Sequence, residues 1–192
     1  MKRALIGGGG HAREVAFQLK QNLPFFVDDE FVDEDSLPLS TFDPSEYEVM
    51  VAIGDSRTRR KIIDKLPPHT KYFTFIHQTA ILGKDCEVGD GTFIGAYCII
   101  TSNVSLGQHT ILSRGNHVGH DNCSGAFLSM MPGSIISGNV TLGEEVYLGT
   151  NSSIRENLYI ANSTTIGMGS AVISDIKTKG TYAGVPAKKI HP

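Results

Sequence analysis

The sequence predicts a small α/β domain with a Rossmann-like parallel sheet over residues 1–77, followed by a parallel β-helix of six-residue units over residues 78–192. Three observations carry this. An apolar residue recurs at every sixth position from Leu82 to Val172. The N-terminus runs from a short apolar stretch through four consecutive glycines into a segment with helical spacing. Pro67, Pro68 and His69 then mark a break between the two patterns.

The repeat is the stronger signal. Stepping by six from Leu82, the chain reads Val88, Ile94, Ile100, Leu106, Leu112, Val118, Ser124, Met130, Ile136, Leu142, Leu148, Ile154, Ile160, Ile166 and Val172, and Ser124 alone breaks the apolar register. Glycine follows at 83, 89, 95, 107, 119, 125, 143, 149 and 167. A period of six fits neither a helix nor a half-exposed strand, so the unit is a short strand plus a corner. Three units close a triangular coil whose recurrent apolar residue points inward and stacks on its equivalents above and below. The small residues two places earlier, such as Ala80, Cys86 and Cys98, are expected to help round the corners.

In the N-terminal part, residues 3–6 read as a strand, residues 7–10 as a glycine turn, and residues 12–21 as a helix carrying Val15, Ala16 and Leu19 on one face. A second strand over residues 25–27 ends at Asp28 and Asp29. A third over residues 49–53 ends at Gly54 and Asp55, before a helix from Ser56 to Leu66. Alternating strand and helix predicts a parallel sheet with ligand loops at its strand ends. Glycines at a strand-to-helix turn let a pyrophosphate approach the free N–H groups of the helix, although the same loop also serves as a tight turn alone. The acidic run beyond Asp29 reads as a solvated loop.

Composition excludes some classes. A formal charge of −3 leaves no basic surplus for nucleic acid. No apolar stretch approaches the roughly 20 residues of a bilayer span, and a cytoplasmic protein without a signal peptide is expected. Cys86, Cys98 and Cys123 stand at no metal-ligand spacing, so no metal is expected.

Chemistry is expected at His120. It follows inward Val118 and precedes Asp121, which places an imidazole and a carboxylate together on the outer surface. Histidine is suited to removing a proton from an attacking amine or hydroxyl near neutral pH, and the carboxylate to fixing its tautomer. Successive strand residues point apart, so this pairing requires a corner between them. His117 is the competing histidine.

The glycine loop with His11, the Asp28–Asp29 pair, Ile53–Gly54, the element from Val118 to Asp121, Pro132–Gly133 and the run Gly184, Val185, Pro186, Ala187, Lys188 together resemble one family. This is the bacterial nucleotide-sugar N-acetyltransferases of the sialic-acid O-acetyltransferase-like hexapeptide-repeat family, which includes the acetyltransferase of bacillosamine synthesis. The resemblance implies a left-handed β-helix, a homotrimer with active sites between subunits, and acetyl-CoA as co-substrate. It implies His120 as general base with Asp121 as its acidic partner. It places Gly10, His11, Ala12 and Arg13 at the diphosphate, and Asp28, Asp29 and Gly54 near the nucleotide and sugar. Thr150 and Met168 would line the pantetheine arm, and Lys188 and Lys189 would meet the CoA phosphates. Ser129 stands where relatives often carry a second histidine that reaches the acetyl-CoA, and a contact to that co-substrate is expected of it.

The expected activity is therefore direct acetyl transfer to a nucleotide-linked amino sugar, of the 4-amino-4,6-dideoxy kind. An O-acetyltransferase acting on a sugar hydroxyl and a non-catalytic nucleotide-sugar-binding module remain as alternatives. The identity of the nucleotide is not legible in these residues.

Overall fold

The computed structural model describes residues 1–191. The N-terminal sheet contains β1 (Lys2–Ile6), β2 (Phe25–Val27), β3 (Ser36–Pro38), β4 (Tyr47–Val51) and β5 (Lys71–Tyr72), all parallel and ordered β3-β2-β1-β4-β5. Alternation along the central strands sends side chains to opposite faces. Leu5 and Met50 pack under helix α1 (Gly10–Leu19) with Ala12, Val15 and Leu19, whereas Ala4, Ile6, Val49 and Val51 pack with Ile62 of helix α2 (Ser56–Lys65). The acidic residues beyond Asp29, Glu30 and Asp33 to Asp35, are exposed as expected; the run opens with a short 3-10 turn, Asp29–Phe31, and leads into edge strand β3.

The second part is a left-handed parallel β-helix. Residues eighteen apart stack in register, as in Ile81, Ile99, His117, Ile135, Ser153 and Ala171. These make one flat side, the isoleucine face. A second side, the cysteine face, begins with Cys86–Val88, and a third with Phe75–Ile76. Because Phe75–Ile76 already pairs with Phe93–Ile94, the break expected after residue 77 falls between Tyr72 and Phe75.

The apolar register from Ile94 to Val172 is buried throughout, Ser124 included. The residues two places earlier do not round the corners; Cys98, Val104, Leu128, Val140 and Val146 form a second buried row, because positions two apart on a strand share a side. Where that row is polar, the hydroxyl turns back to the corner: Thr110, Ser134, Ser152 and Thr164 each donate to the carbonyl three residues earlier, at 2.7–2.9 Å. The turn itself is made three residues after each apolar position, where the backbone is left-handed at Asp85, Gly91, Tyr97, Asn103, His109, Gly115 and Asp121, and onward to Gly169. Glycine next to the apolar residue answers a different need. A Cβ on Gly83 would lie 1.9 Å from the Thr101 carbonyl of the next coil.

The N-terminal domain covers the third side, hereafter the domain face. Phe93 and Ile111 on that side join the α1 core, and Ala96 N–H donates to Gln18 Oε1 at 2.7 Å. Arg59 is the deepest link. Only 1% exposed, it donates to the carbonyls of Ile53 and Gly54 on one side and of His109, Phe127 and Leu128 on the other. Burial pushes its pKa down to about 9, which still leaves a cation at neutral pH to charge these bonds. No helix among the described residues is long and apolar enough to cross a membrane.

Candidate active site

A cavity of about 570 Å³ opens where the strands of the N-terminal sheet end. Its floor is the turn from Gly7 to Gly10 and its walls include His11, Val27, Asp28, Phe31, Asp33, Gly54 and Thr58. Helix α1 begins here with Gly9 as its N-cap, no capping side chain and no acid in its first turn, so its leading N–H groups are available to an anion. Gly10 and His11 both line this cavity. Ala12, expected at the same place, is fully buried in the core under α1 and does not line the cavity. Arg13 folds back to donate to the Gly8 carbonyl at 2.9 Å and borders a neighbouring cavity.

Burial lowers the pKa of His11, so its imidazole is neutral near pH 7, and its Nε2 is buried without a partner. Asp28 reaches the cavity while pairing with Lys65 at 3.2 Å. Asp29 does not reach it: its carboxylate turns away to accept from the Ser40 N–H at 3.1 Å. Asp33, read in the sequence as part of a solvated loop, is exposed and also lines the cavity.

His120 and Asp121 occupy the edge between the isoleucine and cysteine faces. Asp121 is the left-handed corner residue of this coil, with φ of 59°. That turn swings its carboxylate beside the preceding side chain, and His120 Nδ1 meets Asp121 Oδ2 at 2.7 Å. A carboxylate only accepts, so Nδ1 carries the proton and Nε2 presents its lone pair outward. The pair is open to solvent, with side chains 64% and 50% exposed. Asn103, one coil earlier, donates to the other Asp121 oxygen at 2.7 Å, and this bond, followed by that to His120, holds the carboxyl below its usual range. His117 lies outward on the isoleucine face, in line with Ile99 and Ile135.

Thr150 and Met168 lie together on a different edge, between the domain face and the isoleucine face, where Gly169 N–H donates to Thr150 carbonyl at 2.8 Å. Met168 is largely exposed, as is Lys188 on the final strand, Lys188–His191. Ser129 is not placed to touch a co-substrate. It is fully buried under the N-terminal domain, where its hydroxyl donates to Gly54 carbonyl at 2.8 Å and bonds Arg59 and Ser56. The expectation for it is corrected accordingly: a residue on the domain face is covered by the domain. Arg59 escaped the sequence reading because nothing in a helix pattern marks one arginine among Arg57, Arg59 and Arg60 as the buried one.

Residues 2–66 match the family model of the PglD N-terminal domain. PerB from Caulobacter crescentus, solved with CoA and GDP-perosamine, is 28% identical with a TM-score of 0.88, over 99% of this chain and 97% of that one. The likeness to PerB spans both domains of the chain. The family model accounts for the N-terminal domain alone, and the likeness to PerB extends through the β-helix. The acetyltransferase domain of PglB from Neisseria gonorrhoeae FA1090, solved with acetyl coenzyme A, resembles this chain at 25% identity and a TM-score of 0.69, over 98% of each. A curated GDP-perosamine N-acetyltransferase of Escherichia coli O157:H7 is 23% identical over 109 residues, 56% of this chain and 49% of that protein. A UDP-3-O-acylglucosamine N-acyltransferase of Bordetella pertussis is 32% identical over 101 residues, 53% of this chain and 23% of that protein. The chain thus spans half or less of the length of these curated relatives.

Proposed function

We propose that the protein transfers the acetyl group of acetyl-CoA to the amine of a nucleotide-linked amino sugar, with His120 as general base. The observation that carries this is the His120–Asp121 pair, which leaves a free imidazole lone pair on an exposed edge. The unprotonated amine attacks the thioester carbonyl; a C–N bond forms and the C–S bond breaks. His120 Nε2 takes the proton released by the amine, Asp121 stabilises the imidazolium, and the proton passes to the departing CoA thiolate. PerB, bound to CoA and GDP-perosamine, is the likeness that supports this substrate class.

The same reading makes the site a shared one. The N-terminal domain covers the domain face and His120 stands on the edge opposite that face, which supports a site completed by a neighbouring chain. Both edges of interest flank the isoleucine face, whose outward residues Ile81, Ile99, His117 and Ile135 form a largely apolar ladder with Ile81 60% exposed. Turning three such faces toward a threefold axis buries the ladder and sets the His120 edge of one subunit against the Thr150 and Met168 edge of the next. A CoA arm then runs between two β-helices, with Lys188 near its phosphates, and Gly54, His11 and Asp28 hold the nucleotide.

The test is His120→Ala, assayed by thiol release with nucleotide-linked 4-amino-4,6-dideoxy sugars and with their hydroxyl counterparts. Substrate binding is expected to change little and turnover to fall by about 10²–10⁴-fold. A variant that keeps most of its turnover sinks the assignment, and faster acetylation of the hydroxyl sugar overturns the substrate class.

A further inference from the structure

The edge that carries His120 is built from a column of polar left-handed residues one coil apart: Asp85, Asn103, Asp121, Asn139 and Asn157. Where two asparagines are adjacent in the column, one amide donates to the next, as Asn139 Nδ2 does to Asn157 Oδ1 at 2.8 Å. Asp121 interrupts this chain. It has no N–H to pass onward to Asn139, so it accepts from both its neighbours, from Asn103 Nδ2 on one oxygen and from His120 on the other.

Resting on the assignment of His120 as base, we propose that Asn103 is a positioning residue for catalysis, acting through Asp121. Half-exposed carboxylates rotate freely unless both oxygens are engaged. The Asn103 amide occupies Oδ1 and so fixes Oδ2 opposite Nδ1 of the imidazole, which holds the tautomer with its lone pair on Nε2. The amide itself can be oriented only one way, since its carbonyl oxygen would repel the carboxylate. Asn103 thus makes no contact with substrate and sets the direction in which the base points.

The column predicts effects of opposite sign. Asn103→Gly removes the amide and suits the left-handed backbone, where φ is 56°. The loosened carboxylate stabilises the imidazolium less, so kcat falls about 5- to 20-fold at constant KM and the acid limb of the pH profile moves to lower pH. Asn103→Asp keeps the shape and adds a second negative charge; the acid limb then moves to higher pH. The other charged groups along this edge and its groove are Lys84, Asp85, Glu87, Arg155 and Glu156, and they are common to all variants. A purely structural corner would lower thermal stability and leave both limbs in place.

Steady-state kinetics from about pH 5 to 9 on the full chain, with His120→Ala as the reference, decides the matter. If His120→Ala is inactive while both Asn103 variants keep the parent kcat and acid limb, Asn103 has no such role. If His120→Ala is itself active, the base assignment fails first.

Discussion

The imidazole of His120 lies flat against Gly138, the residue one coil below it: a Cβ built on Gly138 would stand 2.6 Å from His120 Cε1 and 2.7 Å from Nε2. The ring is therefore held from two directions, by Asp121 at its Nδ1 edge and by a bare backbone at its face. Gly138 has no left-handed backbone to excuse it as a turn residue, so close approach explains it.

Gly138→Ala is accordingly expected to move the ring while leaving the fold intact. Turnover should fall at least about tenfold with KM for both substrates nearly unchanged, since misplacement of a base by about 1 Å costs on the order of 10² in rate. Kinetics beside a thermal melt would check it; an unaltered kcat would mean that the ring need not rest there.

At the other site, Gly9→Asp should give two effects of opposite direction. The position has open space around it, and an N-cap carboxylate satisfies the leading N–H groups of α1, which stabilises the protein by a few tenths of a kcal/mol relative to glycine. The same carboxylate competes with a diphosphate for those groups. KM for the nucleotide sugar should rise at least tenfold while KM for acetyl-CoA holds, as measured by varying each substrate in turn.

Stability should fall in mild acid because of His109. Stacked on Phe127, with its ring edge-on to Tyr72, and close to the Arg59 cation, its imidazole has a pKa pushed down to about 4 by burial first and by Arg59 second. The folded value lies below the unfolded one near 6.5, so the unfolded chain binds more protons between them. Stability is thus undiminished above about pH 6.5 and declines as pH drops toward 4, by up to about 3 kcal/mol. His109→Phe, which keeps the stacking, should flatten this part of the curve; denaturant titrations at pH 7, 5.5 and 4.5 on both proteins would show whether it does.

The isoleucine face offers a test of assembly. Ile135→Lys puts a charge in the middle of the outward ladder and far from Nε2 of His120 along the chain. Sedimentation of the parent protein should give a trimer and that of the variant a monomer, with activity lost in parallel. A variant that is monomeric and fully active would show that one subunit suffices.

Much of this molecule is legible in its residues. A six-residue apolar period admits only a coil of short strands, because no other backbone returns the same side to the core at that spacing, and the period located His120 and Asp121 on the outside. Four glycines between a strand and a helix marked the cavity at the strand ends for a similar local reason. These are features of the chain near itself, where bond geometry and side-chain volume decide.

Other features depend on elements far apart in sequence, and only the tertiary structure decided them. Which prism side the N-terminal domain covers determined that Ser129 is buried and His120 is on the opposite edge. Burial in that contact, and nothing in helix α2 itself, set Arg59 apart from Arg57 and Arg60. The His120–Asp121 pair lies between these cases: the residue types were readable, but their contact depends on a left-handed φ at Asp121, which the hydrogen bonds of the neighbouring coils hold in place.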